Sequence, residues 1–162
     1  MGSTEERPAL RFVEGSDCTT VTEDGAKWRI GIDMSMTDAA EFAYGDASFE
    51  PGASGYPIPE IDDAVERGLI VTGGTASVTA PSVSTTLEPY DAVFLPDGTE
   101  CTLEATGDAP FTFLWGAASD EKDSELSETT VFDHDNEVQV VKTTREVDPI
   151  ITINEGHSKR YW

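Results

Sequence analysis

The fold is decided between residues 66 and 98. The stretch opens Glu66-Arg-Gly-Leu-Ile-Val-Thr-Gly-Gly74 and closes Tyr90-Asp-Ala-Val-Phe-Leu-Pro-Asp-Gly98. Leu69, Ile70 and Val71 form a short apolar run that stops at Gly73-Gly74. Paired glycines between β-formers predict a hairpin, because a primed turn needs positive φ at its central positions. On that reading Val78 lies on the return strand, Pro81 ends it, and 83–87 begins another. Residues 92–95 are closed by Pro96-Asp97-Gly98, where proline presets φ and glycine tolerates the left-handed region. Short strands between turn signals, without a helical period, predict an all-β, antiparallel sandwich or barrel.

Outward from this stretch the same pattern continues. Residues 28–32 and 44–49 read as strands, with Trp28 and Ile30 alternating against Arg29. Residues 10–13 suggest an edge strand before a Glu-Asp-Gly turn, and 38–42 one helical turn. Residues 53–59 are a loop rich in Gly, Ser and Pro, with Tyr56 and Ile58 as its large apolar side chains. After Gly98 the alternation returns at 100–104 and 111–115, where Phe111, Phe113 and Trp115 share one face against Thr112 and Leu114. Residues 129–132, 137–141 and 149–153 are further strand candidates. The organisation is an N-terminal arm (1–27), a barrel (28–116), an acidic linker (117–128), and C-terminal strands and tail (129–162). The tail ends in Tyr161 and Trp162, which are expected to dock on the barrel or a second subunit.

The chain has 162 residues, enough for one domain with a real core. Asp and Glu number 32 against 10 Lys plus Arg, a net charge of −22. A field of that sign repels nucleic acid and anionic membrane, so neither is an expected partner. Its plainest role is a solvated surface. The scarcity of lysine resembles halophilic proteins, in which salt screens such self-repulsion. Cys18 and Cys101 do not make a disulfide framework. The N-terminus has no basic region followed by an apolar core, and no apolar run is long enough to cross a bilayer. The expectation is a soluble, cytoplasmic protein.

Glu66, six intervening residues and Gly73 match the second half of the first cupin motif. Pro96-Asp97-Gly98 followed, after two residues, by Cys101 matches the second, and Pro51-Gly52 fits the turn that often precedes the first. Residues 28–116 thus resemble a single cupin domain, which implies an antiparallel double-sheet jelly-roll barrel. The resemblance departs at the metal ligands. Cupins that bind metal usually offer two histidines, a glutamate and a third histidine. Here those positions fall on Glu60, Asp62, Glu66 and Cys101, and the two histidines, His134 and His157, lie outside both motifs. Tyr90 also stands where a glycine is common.

The resemblance implies that Glu60, Asp62, Glu66 and Cys101 converge in one barrel mouth. Three carboxylates in a partly dry cavity cannot all stay ionised without a countercharge. Two solutions are acceptable. One divalent metal ion could hold them, with oxygen ligands favouring Mg²⁺, Ca²⁺ or Mn²⁺ and Cys101 favouring Zn²⁺ or Fe²⁺. Alternatively Glu60 and Glu66 act as catalytic acid and base. The plainer alternative is an acidic surface loop over a degenerate site, with Cys101 a small buried hydrophobe. Tyr44, Tyr56 and Arg29 are ligand-binding candidates, Arg29 only where it points inward. Two functions therefore stand side by side: an isomerase-, lyase- or oxygenase-type enzyme on a small metabolite, or a non-catalytic module that binds or senses a small-molecule ligand. A homodimer is expected for either.

Overall fold

The computed structural model describes residues 14–32, 42–61, 64, 66–96 and 98–118, and the backbone of three short strands beyond them. Its strands are β1 (Thr19–Glu23), β2 (Ala26–Ile32), β3 (Phe42–Phe49), β4 (Ser54–Gly55), β5 (Glu66–Gly73), β6 (Ala76–Ala80), β7 (Val83–Leu87), β8 (Ala92–Pro96), β9 (Thr102–Ala105), β10 (Phe111–Ala118), β11 (Thr130–Phe132), β12 (Val141–Lys142) and β13 (Glu146–Val147). Among the described residues there is no helix.

One sheet has the order β1-β2-β3-β10-β5-β8-β11 and the other β4-β9-β6-β7, all antiparallel; β12 and β13 pair separately. From β3 to β10 the chain alternates between the two sheets, β6 and β7 being the one hairpin on the way. That alternation is the double-sheet jelly roll expected from the sequence.

The core lies between the sheets and follows from period-two alternation. The large sheet sends in Trp28, Phe49, Leu69, Val71, Phe111, Phe113 and Trp115; the small one sends in Val78, Leu87 and Leu103. The aromatic rings meet edge-on or tilted: Trp28 and Phe49 at 5.4 Å and 85°, Phe49 and Phe113 at 5.7 Å. Such offset arrangements suit the ring quadrupoles.

The paired glycines behave differently from the sequence expectation. Gly73 ends β5 and Gly74 leads to β6, but β5 and β6 belong to different sheets and do not pair. The corner is a crossing between sheets, not a hairpin. Its geometry still needs glycine: Gly74 has φ of 74°, and a Cβ there would lie 2.5 Å from the Pro110 carbonyl oxygen and 2.8 Å from the Phe111 Cα. The β1–β2 turn is a true primed turn, with Asp24 at φ 42° and Gly25 at φ 85°. Tyr90 is at φ 79°, so the place where a glycine is common is one that demands positive φ.

The expected strands at 83–87, 92–95 and 111–115 are present, the last running on to Ala118. The linker expected from 117 therefore starts at least two residues later. Expected elements at 10–13, 38–41, 137–140 and 149–153, and the terminal Tyr161 and Trp162, lie outside the described residues.

Gly74→Ala is expected to lower stability by about 2 kcal/mol or more, from left-handed strain plus collision with backbone that cannot move aside. Gly52→Ala, with φ of 80° but open space around it, should lose only about 1 kcal/mol from the strain. Denaturant midpoints at constant m-value compare the two.

Candidate functional site

A cleft of about 810 Å³ is bordered by residues of both sheets. Its floor is the inner face of β2, where Trp28 and Ile30 point between the sheets while Arg29 alternates outward. Ser54, Gly55, Tyr56, Ile58, Pro59 and Glu60 form the facing lip. The remaining wall comes from β1 and its turn (Val21, Glu23, Asp24), from Arg67 on β5, and from Gly98 and Thr99 after the Pro-Asp-Gly corner. Floor and lip are joined by one buried hydrogen bond: the Trp28 indole Nε1–H donates to the Pro57 carbonyl oxygen at 2.9 Å. An apolar base with a few charged groups at its edge is the ordinary build of a small-molecule pocket.

The strand register decides which candidates reach this cleft. Phe113 pairs with Val71, Trp115 with Leu69, and Ala117 with Arg67; the first two pairs are core, so Arg67 faces inward in the same row. Glu66 pairs with Ala118, one residue out of phase, and so belongs to the outer face of the large sheet. It is buried there, 4% exposed, beside the register partners Pro96 and Ala118. The spacing that matches a motif glutamate thus gives an outward carboxylate, and the inward place is held by a guanidinium.

The other candidates divide. Tyr56 and Glu60 line the cleft. Tyr44 is on the outer face, 43% exposed, its ring 5.4 Å from that of Phe42. Arg29 is also outside, bound bidentately to Asp46 with its Nε 3.0 Å from both carboxylate oxygens and Nη2 2.9 Å from Oδ2. That carboxylate raises the Arg29 pKa through its hydrogen bond and charge. Of the two orientations open to Arg29, the structure takes the outward one. Asp62 lies outside the described residues.

Cys101 sits in the apolar core among the residues between the sheets, 6% exposed. Burial pushes its thiol up to about 11, so it is protonated at neutral pH. A protonated thiol is neither a good nucleophile nor a metal ligand.

Solved structures share this architecture. The putative glyoxylate-induced protein from Pseudomonas aeruginosa superimposes with a TM-score of 0.65 at 20% identity, over 88% of this chain and 58% of that one. An RmlC-like cupin from Shewanella frigidimarina gives 0.52 at 17% identity, over 71% and 96%. The polyketide cyclase RemF from Streptomyces resistomycificus gives 0.52 at 22%, over 69% and 81%. The chain has the cupin fold. No family model and no curated protein matches its sequence.

The metal expectation can be tested on the donors themselves. Among the described residues no three His, Cys, Asp or Glu side chains are grouped to hold an ion. Glu66 is on the far face of the sheet, Cys101 is a thiol in the core, and of the described expected ligands Glu60 borders the cleft, on the lip opposite β2. Those donors do not fit a metal centre.

Arg67 is the cleft residue that the motif reading passed over. Its signal was available: Leu69 and Val71 are inward, and counting back by two from them reaches position 67, not 66.

Three measurements check this placement. Under native conditions an alkylating reagent should modify Cys18, which is partly exposed, and spare Cys101 until the pH nears 11. The Cys101 contribution to stability should be intact below its ordinary value of 9.0 and decline as pH rises from there toward 11. Elemental analysis of the purified protein should find divalent metal well below one ion per chain; a stoichiometric ion lost in Glu66→Gln would overturn the placement.

Proposed function

We propose that this chain binds a small organic molecule in the cleft between β2, β5 and the 54–60 lip. The observation that carries the reading is the lining itself: apolar Trp28 and Ile30 form the base and Ile58 faces them from the lip, with Tyr56, Glu60 and Arg67 as polar contacts around them. Burying an apolar body against Trp28 and Ile30 supplies affinity, and the charged groups select orientation. The volume suits a metabolite-sized ligand rather than a macromolecular one.

The reading favours the binding module over the metal-dependent enzyme, since the described donors do not assemble. Acid–base chemistry on the bound molecule would fall to Glu60, the inferred catalytic carboxylate that reaches the cleft, with Tyr56 beside it on the lip. Glu66, the second acid of the expected pair, faces the other way and takes no part.

The Trp28 indole N–H offers a resolved NMR reporter at the base of the cleft. Small organic fragments are expected to shift that resonance, and Thr99→Trp, which fills the cleft from its rim, should abolish the shift. Arg29→Ala and Tyr44→Ala, on the outer face, should leave binding unchanged. Fragments that bind the Thr99→Trp variant as well as the parent would refute the site. Glu60→Gln that retains binding while any measured turnover disappears would make the protein an enzyme.

A further inference from the structure

Resting on the reading of the cleft as a ligand site, we propose that its ligand is a short peptide in extended form, added as an antiparallel strand to the free edge of β1.

β1 is the end strand of the large sheet. It pairs with β2 on one side, and among the described residues nothing pairs with the other. The hairpin register shows which backbone groups that leaves open. Asp24 and Gly25 form the two-residue turn, so Glu23 and Ala26 flank it and bond to each other across it. Antiparallel bonding alternates from that pair. Glu23, Val21 and Thr19 thus direct their N–H and C=O groups to β2. Thr20 and Thr22 direct theirs to the open edge.

Edges of this kind are ordinarily blunted by charge, proline or a bulge. β1 has none of these from Thr19 to Thr22: the four residues are uncharged and β-branched, and their ladder with β2 runs without a break. Side-chain phase joins this edge to the cleft. Thr20 and Thr22 lie opposite the outward Arg29 and Lys27, whereas Val21 lies opposite the inward Trp28. Val21 borders the cleft and is 39% exposed, an apolar side chain left uncovered in the middle of an open strand. Across the cleft, β4 is the end strand of the small sheet and carries Gly55, where a Cβ would meet nothing within 4 Å. Glycine in such a place lets another backbone approach closely. The other uncharged edge, β7, contributes no residue to this cleft.

An extended backbone answers all of these features at once. It supplies the alternating N–H and C=O groups that Thr20 and Thr22 lack, so main-chain bonds give affinity. Its residues opposite Thr20 and Thr22 turn their side chains to the outer face, and those between turn theirs into the cleft beside Val21. A cleft of about 810 Å³ has room for a few such residues. A compact metabolite would fill the cleft and leave the edge unpaired. The net charge of −22 disfavours acidic sequences.

The probe is N-acetyl-Lys-Val-Thr-Val-Lys amide, blocked at both ends so that terminal charges play no part. Affinity is measured by calorimetry, and amide hydrogen exchange is read at Thr20 and Thr22. Both amides should exchange about tenfold more slowly with peptide bound, while the Val21 amide, already bonded to β2, changes little. With the two valines in the cleft, their N–H groups point away from β1, so N-methylating them should leave affinity nearly unchanged. N-methylating the other three residues should weaken binding about tenfold or more, because their N–H groups make the bonds. Thr20→Pro, which removes an N–H that the β1–β2 ladder does not use, should abolish binding. Should that variant not fold, the methylated peptides decide the matter on the unaltered chain. Equal losses for the two methylated peptides, or the reverse order, overturn the proposal. Thr20 and Thr22 amides that are already slow without peptide also overturn it, since the edge would then be taken by this chain or a second copy. If the peptide does not bind but small fragments still shift the Trp28 resonance, the cleft remains a ligand site and only the strand falls. If neither is seen, both readings fall.

Discussion

Strand β10 is paired along its length on both sides, with β3 and with β5. That double pairing is the constraint from which the rest follows. Phe111, Phe113 and Trp115 must all enter the core, so the phase of β10 is fixed by the burial of three large rings. A slip of one residue would turn every ring to solvent and every outward side chain inward. Burying such side chains is worth roughly 1.5–3 kcal/mol each, so the phase is strongly held. Through the ladder it passes to β3 and β5, and it alone decides that Arg67 looks into the barrel while Glu66 looks away. The character of the cleft is therefore set by hydrophobic residues that do not touch it.

Packing reinforces the same phase from β3. Gly45 lies opposite Trp115 and beside the Arg29 carbonyl, and a Cβ there would come within 2.8 Å of the Trp115 ring. The ring occupies the room that a side chain would need, and its Nε1–H donates to the Asp46 carbonyl oxygen at 3.2 Å. The carboxylate of that same Asp46 holds Arg29 outside. An exposed ion pair of this kind adds little stability. Its significance is directional, since it accounts for one of the few basic side chains in a strongly acidic protein.

Much of this was legible in the sequence, and the misses share a cause. Alternation at Phe111, Phe113 and Trp115 announces a half-buried strand, and turn residues mark most of the corners. Tyr56 and Glu60 sit in and just after a loop rich in Gly, Ser and Pro, and they do reach the cleft. Gly73-Gly74 says that the backbone must turn sharply, but local chemistry cannot say whether the next strand returns to the same sheet or crosses to the other; the contact with Pro110 and Phe111 decides it. The distance of Glu66 from Gly73 is a spacing that carries no phase. The residue type of Tyr44 suits a ligand site, but Ala43 and Ala47 occupy the inward phase of β3. Cys101 is a residue whose role depends on surroundings that only folding supplies.

The hydrogen bond from Trp28 to Pro57 links two walls that are 29 residues apart in the chain. Because the donor belongs to the floor and the acceptor to the lip, the gap between them is set by the reach of a single indole. Any residue other than tryptophan at that position would release the lip and leave a carbonyl in an apolar setting, so the two walls are bound to change together. Diversification of this barrel toward new ligands would thus run through the rim, at Tyr56, Glu60, Arg67 and Thr99, while the aperture itself stays inherited.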